Sequence, residues 1–133
     1  MTREETLQVL AILKAAYPAS YNGMTKREAE GTASVWAMQF ASVPVAIVMM
    51  AVQKCISSNK FPPAISEVKD KITALHWEAY DMIYTSVADV LSEQDKVRYR
   101  QVYEATKDFK KGGMAEPSMS QMLSNSKLLL ISE

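Results

Sequence analysis

One cysteine, one histidine and a few neighbouring carboxylates are the side chains of this 133-residue sequence with the clearest chemical potential. Cys55 can act as a nucleophile only as a thiolate, and no histidine or basic neighbour stands beside it in the sequence to favour that form. It reads instead as a small buried hydrophobe at the end of an apolar segment. A single cysteine also excludes an internal disulfide framework and any multi-cysteine metal site. His76, in His76-Trp77-Glu78, lacks the second histidine of a zinc-protease helix and any triad partner, so it reads as a surface or interfacial histidine. Glu4 with Glu5 and Glu28 with Glu30 are the adjacent or near-adjacent acids. Both pairs fall where helices should begin, so capping and interaction with the helix dipole explain them better than acid–base work.

Phosphate chemistry fares no better. The glycines are Gly23, Gly31, Gly112 and Gly113, and none lies in a P-loop or dinucleotide fingerprint. No catalytic residue, cofactor or metal is expected, and the chain should not hydrolyse ATP. Lys plus Arg and Asp plus Glu both number 15, a formal charge of zero. Residues 1–72 hold eight basic and six acidic groups, and residues 73–109 hold four and seven. Wrapping a phosphate backbone depends on a basic excess that releases counterions, so little direct nucleic-acid binding is expected.

The elements are legible from caps and periodicity. Thr2-Arg3-Glu4-Glu5 has capping-box spacing, and Leu7, Leu10 and Leu13 follow as an apolar stripe widened by Val9, Ala16 and Tyr17. Pro18 stops this first helix, and Tyr21-Asn22-Gly23 is a turn. Thr25-Lys26-Arg27-Glu28 opens a second helix, with Ala29, Ala33, Trp36 and Phe40 on one face. Pro44 suits the first turn of a third helix. Its residues Val45, Ile47, Val48, Met49, Met50, Val52 and Ile56 are apolar nearly all round, the mark of a buried central helix.

Asn59-Lys60-Phe61-Pro62-Pro63 ends that helix, and Pro63 can begin a fourth with Ile65, Val68, Ile72 and Leu75 inward. The pattern continues through Tyr80, Ile83, Val87 and Leu91, so the helix is either long or broken near His76. Residues 93–109 suggest one more helix, charged, with Val97, Val102 or Tyr103, and Phe109 poorly spaced. Met38, Met49, Met50 and Met82 fall in helices, where filling the core is the default.

After Lys110-Lys111-Gly112-Gly113 the composition turns to Gly, Ser, Pro and Asn. Met114, Met119, Met122, Leu123 and the closing Leu128-Leu129-Leu130-Ile131 punctuate it. Flexible methionines and leucines in such a tail suit an adaptable contact that folds on a partner.

The expected fold is therefore all-α: a small helical bundle with a buried central third helix and a flexible or partner-folding tail. Residues 1–75 form a compact core, 76–109 a helical extension, and 110–133 a linker and weakly ordered tail. The run Val43 to Val52 is too short to span a bilayer, and the charged start resembles no signal peptide, so a cytoplasmic protein is expected. A DNA-reading helix-turn-helix across the second and third helices is disfavoured, because Val45 to Val52 offers Val, Ala, Ile and Met where base edges demand polar groups.

The order of features carries a resemblance over about residues 1–72. A first helix ends in Tyr17-Pro18, Trp36 lies near the end of the second, and an apolar third precedes Asn59-Lys60-Phe61-Pro62-Pro63-Ala64-Ile65-Ser66-Glu67-Val68. This resembles the phage and prophage replicative helicase loader/inhibitor family of Gram-positive bacteria, most specifically in Phe-Pro-Pro-x-Ile-x-Glu-Val. The residues themselves also admit a purely structural account. Phe61 plugs the bundle end, Pro62 and Pro63 fix the turn, and Ile65 and Val68 pack inward.

The resemblance implies a protein that binds a hexameric DnaB-type replicative helicase, favours its ATP-bound form and holds it inactive. An origin-binding replisome organiser then recruits the pair, and the helicase is released onto single-stranded DNA in the bacterial host. On this view Trp36, Phe40, Val48 and Phe61 anchor a rigid platform with Pro62, Pro63 and Ile65, and Met119, Met122, Leu123, Leu128 and Leu129 contact the helicase. Two alternatives stay open: a DNA-binding accessory or regulatory phage protein, and a phage inhibitor of another host protein.

Overall fold

The computed structural model describes residues 1–85 and 89–109. Within them are six helices and no strand: α1 (Arg3–Ala16), α2 (Pro18–Tyr21), α3 (Lys26–Gln39), α4 (Val45–Ser58), α5 (Ile65–Tyr84) and α6 (Glu93–Thr106). The all-α expectation holds, with one insertion in the order. Pro18 ends α1 and also starts the single turn α2, so the expected third helix is α4. The tail from residue 110 and the stretch 86–88, which includes Val87, lie outside the described residues.

Local chemistry explains the boundaries. The Thr2 hydroxyl accepts from the Glu5 N–H at 3.2 Å while Glu5 accepts from the Thr2 N–H at 2.7 Å, a complete capping box. At α3 the Thr25 hydroxyl accepts from the Glu28 N–H at 3.1 Å. Gly23 turns the chain between α2 and α3 at φ +82°, where a side chain is strained. Gly31 sits inside α3, and a β-carbon added there would meet nothing within 4 Å. Gly31→Ala should thus raise stability by about 0.5–1 kcal/mol, and Gly23→Ala should lower it by roughly 1 kcal/mol. Urea midpoints moving in opposite directions would show both.

α4 is the centre. Ile47, Val48, Ala51, Val52 and Cys55 are buried, and the helix packs against α1, α5 and α6. Around it the core gathers Val9 and Leu13 from α1, Trp36 and Phe40 from the end of α3, Val43, and Val68, Ile72, Leu75 and Ala79 from α5. α5 runs unbroken for 20 residues, about 30 Å at the helical rise. The boundary expected between residues 75 and 76 falls inside it, and α6 lies along the same helix.

Several expectations shift in detail. The buried line of α1 is Thr6, Val9 and Leu13, with Leu7 47% exposed. Thr6 can face inward because its hydroxyl donates to the Thr2 carbonyl at 2.7 Å, which leaves no polar atom unsatisfied. α4 begins at Val45 with Pro44 at its N-cap, and α5 begins at Ile65 rather than at Pro63. Met38 is exposed, whereas Met49, Met50 and Met82 are half-buried. In α6 the inward stripe is Tyr99, Val102, Tyr103 and Thr106, a regular i, i+3, i+4, i+7 spacing, and Val97 faces solvent.

Candidate functional site

Three places among the described residues offer more than core packing: the α4–α5 connection, the seam between α5 and α6, and a groove between α1 and α3.

The connection from Asn59 to Ala64 is braced from both sides. The Asn59 N–H donates to the Cys55 carbonyl at 2.7 Å, closing α4. The Tyr17 hydroxyl donates to the Asn59 carbonyl at 2.9 Å, tying the end of α1 to the end of α4. Across the loop, Glu67 accepts from the Asn59 side-chain amide at 3.0 Å and from the Ala64 N–H at 3.2 Å. Ala64 has no side-chain oxygen, so Glu67 supplies the cap of α5 from its third position, in the first turn where an acid is also favoured by the dipole. Pro62 is half-buried and Pro63 buried, and both restrict the chain.

Phe61 is the correction here. The sequence suggests a plug for the bundle end, yet the residue stands 70% exposed and takes no part in the core. The hydrogen bonds at both ends of the loop and the buried Pro63 close the bundle end, and the preceding Phe61 is carried outward. Lys60 lies with its ammonium 5.8 Å from the centre of the Phe61 ring.

The other anticipated residues divide plainly. Trp36, Phe40 and Val48 share one buried core, with the rings of Trp36 and Phe40 5.5 Å apart and tilted by 45°. Ile65, the first residue of α5, is half-buried against that core. Met119, Met122, Leu123, Leu128 and Leu129 lie outside the described residues, as does Met114.

His76 is buried rather than at the surface. Its Nδ1 is 2.8 Å from the Thr106 hydroxyl oxygen, and that hydroxyl lies 2.8 Å from the Val102 carbonyl of its own helix. The His76 ring stacks on Tyr103 at 5.1 Å and 21°, and Trp77, Tyr80 and Tyr84 extend the aromatic seam along α5. Sequence reasoning does not find this cluster as a unit. Its signal is present in the steps of four, from His76 to Tyr80 to Tyr84 and from Tyr99 to Tyr103, but tyrosines and a histidine dilute a hydropathy stripe.

Cys55 is fully buried in the core. Burial pushes its thiol above the usual range; Lys71 opposes this in part, and Glu67 adds to it. A neutral buried thiol is a poor nucleophile, so a thiol-specific reagent at neutral pH should label Cys55 only as fast as the fold opens. Labelling that accelerates with urea would show this, and immediate labelling would contradict it. The same shift makes stability fall as pH rises from the ordinary thiol value toward the raised one, because the unfolded chain loses its proton first.

The groove between α1 and α3 is lined by Leu7, Leu10, Ala11, Tyr21, Met24 and Ala29, with Lys14 and Thr32 at its edge. Among the described residues, no group of three or more His, Cys, Asp or Glu is placed to hold a metal ion, and no helix is long and apolar enough to cross a membrane.

In comparison with known families, the model for the N-terminal domain of the phage SPP1 helicase loader/inhibitor family matches residues 1–69, just over half of the 133 residues. No curated protein and no solved structure matches the chain.

Proposed function

Because this chain belongs to the family of that N-terminal domain, the phage helicase loader/inhibitor family, we propose that it binds a hexameric DnaB-type replicative helicase and holds it inactive until it is delivered to an origin. The family is one of helicase-associated accessory proteins. The single observation that carries the proposal is the match over residues 1–69, which takes in α1 to α4, the braced connection and the start of α5.

The physical character of the chain supports the same reading. A zero formal charge suits a protein that grips another protein better than one that wraps a phosphate backbone. The braced core is a platform, and the apolar residues Met119, Met122, Leu123, Leu128 and Leu129 beyond it supply a contact whose ordering cost keeps affinity moderate and release possible. The ATP-bound helicase is the preferred partner. An origin-binding organiser protein recruits the pair in the cytoplasm of the bacterial host. The chain itself holds no cofactor and carries out no catalysis.

Capture from a host lysate tests the proposal. The tagged protein should retain the replicative helicase, and retention should increase with ATP. A labelled DNA duplex, by contrast, should not be shifted at moderate salt. A strong gel shift that weakens steeply with added salt, with no helicase retained, would replace this function with that of a DNA-binding accessory protein.

A further inference from the structure

Phe61 is the one large apolar side chain of the α4–α5 connection that the fold leaves outside, and the loop around it is firmly held. Four hydrogen bonds fix the loop ends: Asn59 N–H to Cys55, Tyr17 to Asn59, and Glu67 from both Asn59 and Ala64. Pro63, two residues on, is buried. An exposed phenyl ring on a rigid mount has little conformational freedom left to lose on binding, which is the property that makes an aromatic side chain an effective interface anchor. An exposed Phe at the end of a mobile segment would not have it.

The neighbouring charge selects the partner surface. Lys60 lies against the ring and enters no ion pair among the described residues. Lys71 stands close enough to the base of the loop to influence Cys55. A receiving surface that complements this tip has an apolar pocket for the ring and acidic groups at its rim. The geometry points to the Phe61 tip as a second contact on the replicative helicase, seated in such an acidic-rimmed pocket and acting beside the C-terminal contact. The inference rests on the helicase reading above and adds a site within the family-matched segment.

A bivalent attachment has a mechanistic consequence. Each contact raises the effective concentration of the other, so displacement of either one by a third protein loosens the whole complex. That provides a route to release without an enzymatic step.

The test uses the full chain throughout. Phe61→Ala, Lys60→Glu and the tail pair Leu128→Ser with Leu129→Ser are compared with the unsubstituted protein for binding to the purified host and phage helicases with ATP. Urea midpoints are measured in parallel. Phe61→Ala should weaken binding by roughly 10- to 30-fold at an unchanged midpoint. Lys60→Glu should slow association and reduce its dependence on salt.

Unchanged binding by Phe61→Ala, with the tail pair weakened, overturns the second contact and leaves the helicase reading intact. No binding by the unsubstituted protein overturns both. If the tail of this chain were the occupant of the tip, Phe61→Ala would lower the midpoint or tighten helicase binding, and either result also overturns the proposal.

Discussion

Phe40→Ala should cost the protein about 3–5 kcal/mol, the range for removing a fully buried phenyl ring. Phe40 is 0% exposed and sits at the end of α3, in contact with Trp36 and amid the core centred on α4. Its backbone N–H donates to the Trp36 carbonyl at 3.1 Å, and its carbonyl accepts from the Val43 N–H at 3.1 Å, so the residue also sets the turn into α4. The surrounding framework cannot collapse into the space without moving that turn. Small domains have total stabilities of about 5–15 kcal/mol, so a loss of this size lowers the urea midpoint by about 2 M at a typical slope. Phe61→Ala removes the same ring from an exposed position and should stay within about 0.5 kcal/mol. Equal midpoints for the two variants would contradict the placement of both residues.

The second large effect is on binding. Truncation after Gly113 should leave the urea midpoint unchanged and weaken the helicase complex at least tenfold, about 1.4 kcal/mol. Burying a few of the tail's apolar side chains contributes about 1.5–3 kcal/mol each. Fixing the backbone costs about 1–2 kcal/mol per ordered residue, which offsets most of that gain when about fifteen residues are ordered. The net contribution is therefore modest in energy yet large in affinity. Isothermal titration against the helicase measures it. Unchanged affinity after truncation would remove residues 114–133 from the interface.

Much of the fold is legible in the sequence because caps and apolar spacing act locally. The face Ala29, Ala33, Trp36 and Phe40 and the all-round apolar Val45 to Ile56 fall where their periodicity implies, and Ala33, Trp36 and Phe40 are buried. What escapes depends on groups that are polar by type but satisfied in place. Thr6 enters the core because its hydroxyl returns a bond to its own helix. Thr106 and His76 enter it because they bond each other. A hydropathy pattern weighs each as a surface residue, so it rotates α1 toward Leu7 and makes α6 look irregular.

Phe61 escapes for the opposite reason. A phenylalanine followed by two prolines suits a plug at the bundle end, and only the direction of the braced loop decides that the ring faces outward. The resemblance carried by Phe61-Pro62-Pro63 and its neighbours points to the same family as the match over residues 1–69. A motif of this kind does not say which of its side chains serve the fold and which are left for a partner.

The most direct measurement mixes the purified full chain with the replicative helicase of its host or phage, with and without ATP, on a size-exclusion column with light scattering. The helicase's ATPase rate is followed in the same mixtures. A co-eluting complex that forms more strongly with ATP and turns over ATP more slowly is the predicted result. Separate elution from both helicases at micromolar concentration, with ATPase rates unchanged, would contradict the loader/inhibitor function while leaving the helical fold as described.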